Sequence, residues 1–141
     1  MSERHLTRTA VFVLLEKDEK YFFLRRANTG WADGHLTLPS GHVDKGSFVR
    51  EAAVTEAKEE ACVTIEPDDL RLFHVDYIKD EYINFYFKAE KWEGEAALGE
   101  PHLASEVLWI DKNTLPEDMI PQLHNAFKEM QEERIFSEME R

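Results

Sequence analysis

Two hydrophobic periodicities alternate along the chain. Residues 8–15 (RTAVFVLL) and 20–27 (KYFFLRRA) are rich in β-branched and aromatic side chains and flank the polar turn EKDE, which predicts a β-hairpin. Residues 28–46 follow, a stretch punctuated by Asn-Thr-Gly, Asp-Gly, Pro-Ser-Gly and Asp-Lys-Gly that reads as loop around one short strand, HLTL. So long a loop in a compact domain is usually functional. From Ser47 to Ala61 there is no Gly or Pro, Ala and Glu dominate, and Ser47 is a good N-cap, so a helix is predicted. Residues 70–78 (LRLFHVDYI) and 82–90 (YINFYFKAE) predict two more strands. An acidic loop containing Gly94 and Gly99, a short strand VLWI and a C-terminal helix near 119–136 complete the pattern. Strands that precede, interrupt and follow two helices indicate an α/β (α+β) architecture, a mixed β-sheet sandwiched between helices, and not a doubly wound parallel sheet.

Composition narrows this further. At 141 residues the chain is expected to form one domain spanning 1–141, on the prior of roughly 150 residues per domain. With 43% hydrophobic and 33% charged residues it has enough apolar content for a core, which excludes a wholly disordered chain. The longest apolar run, residues 10–15, is too short for a membrane span or signal-peptide core, so a soluble cytoplasmic protein is expected. Seventeen Lys and Arg against 29 Asp and Glu give −12, a field that repels nucleic-acid polymers and anionic membranes. A small anionic substrate then requires a cation or a local basic patch. The lone cysteine, Cys62, excludes an internal disulfide and a Cys-based zinc cage. No histidine pair has zinc-ligand spacing, and neither Cys62 nor Ser47 has an evident activating base.

The predicted first helix carries the candidate chemistry. With Ala53 at zero on a helical wheel, Val49, Ala57 and Ala61 fall at about 320°, 40° and 80°, a stripe of mostly small residues suited to packing on a sheet. Glu56 and Glu60 lie at about 300° and 340°, on or beside that stripe, and Glu59 at about 240°. Glu51, Thr55 and Lys58 point the opposite way. An exposed acidic flank is the ordinary fate of a Glu-rich helix. Here the phase favours partial burial, where the three glutamates repel one another and call for a cation between them. Oxygen-only ligands of this hardness select Mg²⁺ or Mn²⁺, which would make an acidic cleft attractive to phosphate.

Residues 41–63, GHVDKGSFVREAAVTEAKEEACV, resemble the Nudix box, G-x5-E-x7-R-E-U-x-E-E-x-G-U with U aliphatic. Gly41, Glu56, Ala57, Glu59, Glu60 and Val63 fall in register, and Leu38-Pro39-Ser40 is similar to that family's approach to the box. The segments RRANTGWADGHLTLPSGHV and WEGEAALGEP extend the likeness over most of the chain. Three positions depart from the pattern: Ser47 stands for the first Glu, Thr55 for the Arg and Cys62 for the Gly. The missing Arg orients a glutamate in the family, and loss of such a group commonly costs roughly 10- to 100-fold in metal affinity or activity.

The resemblance implies a Nudix (MutT-like) fold and hydrolysis of a nucleoside diphosphate linked to another moiety. It implies metal ligation by Glu56, Glu60, Glu59 and the Ser40 carbonyl, with Glu59, Glu60 or the downstream Glu100 as catalytic carboxylates; Glu93, Glu95 and Glu106 are neighbouring alternatives to Glu100. On the substrate side, strand alternation lets only one of Arg25 and Arg26 reach the phosphates, Arg26 being preferred, and Trp31 is a candidate to stack on a base or pack beneath the loop. His42 abuts the box glycine. The competing reading, raised by Ser47, Thr55 and Cys62, is a nucleotide-binding or regulatory module with little turnover. The strand YINFYF and the apolar stripe Leu123, Phe127 and Met130 predict either a homodimer surface or a cover for the sheet.

Overall fold

The computed structural model describes residues 3–141. Its elements are β1 (Arg8–Lys17), β2 (Lys20–Arg26), β3 (Leu36–Thr37), β4 (Ser40–His42), α1 (Val49–Ala61), β5 (Arg71–Ile78), β6 (Tyr82–Ala89), β7 (Ala104–Asp111), α2 (Pro121–Gln131) and β8 (Phe136–Met139), with a 3₁₀ turn at Pro67–Asp69 before β5. β1 is the spine. It runs parallel to β6, from Arg8 opposite Tyr82 to Leu15 opposite Ala89, and antiparallel to β4 on its other edge. At its far end Glu16 faces Tyr21 of β2, across a tight turn in which Asp18 and Glu19 both take positive φ, the twist a two-residue hairpin needs. β2 pairs antiparallel with β3 and β7, while β5 is antiparallel to β6 and parallel to β8.

The unbroken apolar run of β1 follows from burial on both faces. Val11, Val13 and Leu15 pack with Ala52, Ala53, Ala57 and Ala61 of α1, whereas Ala10, Phe12 and Leu14 pack with Leu123, Ala126 and Phe127 of α2. The small-residue stripe of α1 thus lies on the sheet as its phase predicts. The apolar residues of α2 cover the opposite face, and in β6 Tyr86 and Phe87 are core, so both stretches help to cover the sheet. Trp92 and Trp109 stack on each other at the strand ends, 6.3 Å between ring centres. Among the described residues no helix is long and apolar enough to cross a membrane.

Two local expectations are corrected, the N-cap of the first helix and the end of the C-terminal one. Ser47 does not cap α1: the N-cap is Phe48, with no side-chain cap bond, and the Ser47 N–H closes a turn onto the Asp44 carbonyl at 3.0 Å. Cys62 does stop the helix left-handed, at φ 61° and ψ 25°, although a side chain there costs roughly 1–2 kcal/mol relative to Gly. The C-terminal helix ends at Gln131, not 136, because Glu133 turns at φ 56° and residues 136–139 add an eighth strand to β5.

Candidate active site

The last two turns of α1 carry Glu56, Glu59 and Glu60 past the start of β4. Glu60 accepts the Ser40 backbone N–H at 2.8 Å, which fixes helix to strand. Gly41 follows, and a β-carbon at this position would meet the Glu56 carboxyl group, so a larger residue here would have to push that side chain aside. Burial pushes the Glu56 carboxyl up to about 7, helped by the charges of Glu59, Glu100 and Asp44. Burial likewise raises Glu60 to about 8; Glu56 and Glu100 add to this, while the Ser40 N–H and Arg26 oppose it. Glu59 is exposed at the edge of the group.

Glu100 arrives from the far side. The loop after β6 folds back over the end of α1, where the Ala97 N–H donates to Ala61 O and the Gly99 N–H to Glu60 O, at 3.0 and 3.1 Å. Gly99 sits so close that a β-carbon would overlap the Glu59 carbonyl. This contact seats Glu100 within electrostatic range of Glu56 and Glu60. The alternatives point elsewhere: Glu106 is bound to Arg25 at 2.8 Å, the Glu93 backbone pairs with Thr64, and Glu95 lines a separate cleft beside Trp92.

Alternation along β2 separates the two arginines as expected. Arg25 is occupied by Glu106, by Asp118 at 2.9 Å and by the Gly34 carbonyl. Arg26 turns toward Glu60, is half-buried, and donates to Trp31 O at 2.8 Å and Thr29 Oγ1 at 2.9 Å. Burial lowers its pKa, against the pull of Asp33 and Glu60. The loop holding Trp31 is itself tied by Asp33, whose carboxylate accepts from Thr29 and Gly30 backbone N–H groups. Both Arg26 and Arg141 lie over the Trp31 ring, 5.0 and 5.2 Å from its centre. A base stacking there would have to displace one guanidinium.

Two adjoining cavities share Arg26, Ser40, Gly41 and His42. One, of about 380 Å³, contains Glu60 and Thr37. The other, of about 340 Å³, extends between Trp31 and Tyr82 to Asn84 and Gln122. His42 bonds Tyr82 Oη at 2.9 Å and stacks on its ring. Sequence reasoning missed Tyr82, Asn84 and Gln122. The parallel register that sets β6 beside β1 leaves no local signal, although Asn84 does interrupt an aromatic strand.

An acidic helix end beside a half-buried arginine and a cleft is suited to holding a cation against a phosphate chain. The oxygen-only donor set fits Mg²⁺ or Mn²⁺: two desolvated carboxylates next to a backbone segment that a glycine keeps open. Among the described residues no group of three or more His, Cys, Asp or Glu side chains is placed to hold a metal ion, so the trio Glu56, Glu59 and Glu60 expected from the sequence is not gathered around one point.

The family model for the NUDIX domain matches residues 5–131. The chain belongs to the Nudix family. It is 32% identical over 89 residues to an 8-oxo-dGTP diphosphatase of Escherichia coli, a match covering 61% of this chain and 67% of that one. It is also 32% identical over 110 residues to an ADP-ribose pyrophosphatase of Methanocaldococcus jannaschii, covering 76% of this chain and 63% of the relative's length. The crystal structure of a MutT Nudix hydrolase from Burkholderia pseudomallei superposes with a TM-score of 0.79 at 23% identity, covering 87% of this chain and 97% of that chain. That likeness shows the same Nudix fold, a mixed sheet with a helix on each face. Against the family pattern, Thr55 is exposed on the outer face of α1 and puts no positive charge beside the glutamates.

Proposed function

We propose that this Nudix chain is a metal-dependent hydrolase of a diphosphate bond in a nucleoside diphosphate linked to another moiety. The observation that carries the reading is the Glu56–Glu60 pair on one turn of α1: two glutamates raised first by burial and then by neighbouring carboxylates, with Glu60 lining an arginine-containing cleft. Structural carboxylates are rarely left in that state, and functional ones often are. Glu56, Glu60, the Ser40 carbonyl and Glu59 would hold Mg²⁺ or Mn²⁺. When bound, the ion would neutralise the diphosphate and lower the pKa of an attacking water. Glu59, Glu60 and Glu100 are the carboxylates within reach to accept the water's proton, and coupled groups of this kind titrate as a set. Arg26 orients the phosphate chain, and Trp31 holds Arg26 in place and walls the cleft. The substrates in the relatives' names, 8-oxo-dGTP and ADP-ribose, share a nucleoside diphosphate core, which supports this substrate class.

Thr55 favours a second reading, a nucleotide-binding module of low turnover, since no arginine orients the glutamates from that position. Assaying a panel of nucleoside triphosphates, nucleotide sugars and dinucleotides with Mg²⁺ or Mn²⁺ separates the two. Release of a nucleoside monophosphate or diphosphate supports the hydrolase; binding without any turnover supports the module.

A further inference from the structure

The aromatic end of the cleft has a polar floor that the phosphate chemistry does not use. Asn84, in the middle of β6, is 2% exposed yet lines the cavity. Its Nδ2 donates to Asp76 Oδ1 at 2.8 Å, and Tyr86 Oη donates to Asp76 Oδ2 at 2.7 Å. Asp76 is fully buried on β5, so both its oxygens are committed to donors. A carboxylate cannot donate, and this settles the amide: nitrogen toward Asp76, carbonyl oxygen away from it. Among the described residues no buried side-chain nitrogen or oxygen lacks a hydrogen-bond partner, so the free oxygen of Asn84 opens into the cavity. Gln122, in the first turn of α2 and 7% exposed, lines the same floor with an amide that can donate or accept.

We propose that Asn84, oriented by Asp76, is a specificity residue that accepts a hydrogen bond from the exocyclic amine of a nucleobase seated between the aromatic walls of the cavity. A flat, polar-edged ring fits the lining: Phe12 and Tyr82 supply apolar surface, Trp31 lies behind the guanidinium groups of Arg26 and Arg141 that cover its ring, and Asn84 and Gln122 supply the edge contacts. Asp76 is a positioning residue, since it touches Asn84 and not the ligand. The inference rests on the nucleotide reading above and adds which bases the cleft takes.

The test compares nucleoside diphosphates that differ by one amine: ADP with purine riboside diphosphate, GDP with IDP, and CDP with its 4-deaminated analogue. Binding is followed by calorimetry with Mg²⁺. A site built around a buried acceptor should favour the aminated member of at least one pair by about tenfold or more. With diphosphate-linked substrates carrying the same bases, this preference should appear in KM and not in kcat, because the contact is remote from the cleaved bond. Asn84→Ala should reduce the aminated ligand to the affinity of its partner, and Asp76→Asn, which frees the Asn84 amide to flip, should also collapse the ratio. Equal affinities within every pair for the unaltered protein, with nucleotides still bound, overturn the inference and leave the hydrolase reading standing. Absence of any nucleotide binding or turnover overturns both. Gln122→Ala, which removes the other amide on the floor, should keep the preference; its loss in Gln122→Ala alone assigns the acceptor to Gln122 and overturns the inference even if Asn84→Ala fails to fold.

Discussion

The Glu60 carboxyl group accepts the backbone N–H of Ser40 at 2.8 Å, so the end of α1 and the start of β4 are held by one hydrogen bond inside the cleft. Glutamine at position 60 keeps an acceptor for that bond but loses the charge. Glu60→Gln should therefore retain the fold, with an unchanged or higher melting temperature, while kcat falls by about 10²- to 10⁴-fold. Steady-state kinetics and thermal unfolding on the same preparation check both halves.

Stability of the metal-free protein should fall with rising pH. Glu56 and Glu60 sit at about 7 and about 8 in the folded state and return toward 4.5 when unfolded. Between those values the folded chain holds protons that the unfolded chain has released, so the slope of unfolding free energy with pH is negative. The contribution is complete below the unfolded value and lost as pH rises through about 8. Denaturant unfolding at about pH 5.5 and about pH 8.5 with a chelator should show the loss, and Mg²⁺ at the higher pH should restore it.

The two neighbouring arginines should separate in kinetics. Arg26→Ala removes the guanidinium facing Glu60 and is expected to lower kcat/KM by about 10- to 100-fold, the worth of a charge-assisted contact. Arg25→Ala breaks pairs with Glu106 and Asp118 that are largely solvent-exposed, and should leave kcat/KM within about twofold.

Thr55 offers a gain-of-function test. Thr55→Arg, combined with Ser47→Glu, restores the charges of the Nudix pattern and should raise kcat/KM by roughly 10-fold or more. An unchanged rate would mean that other groups already orient the glutamates.

The placement of several candidate residues was legible because it is local. Glu56, Glu59 and Glu60 sit on one helix, where the 3.6-residue period fixes their phase against the alanine stripe, and strand alternation separates Arg25 from Arg26 without reference to the rest of the fold. Glu100 required the family pattern, since only the backfolded loop at Gly99 distinguishes it from Glu93, Glu95 and Glu106. Asn84, Tyr82 and Gln122 were not legible. They reach the cleft through the parallel β1–β6 register and the docking of α2, both non-local. The C-terminal strand was missed for a different reason: residues 132–139 contain no Gly or Pro, and Glu133 makes the helix-ending turn without either.

Calorimetric titration of the chelator-treated protein with Mg²⁺ and Mn²⁺, in the presence and absence of a nucleoside diphosphate, tests the central claim most directly. The expected result is saturable uptake, strengthened by nucleotide, with proton release near pH 7 and loss of binding in Glu56→Gln and Glu60→Gln. No uptake of either ion under any of these conditions, or undiminished uptake by both variants, would contradict it.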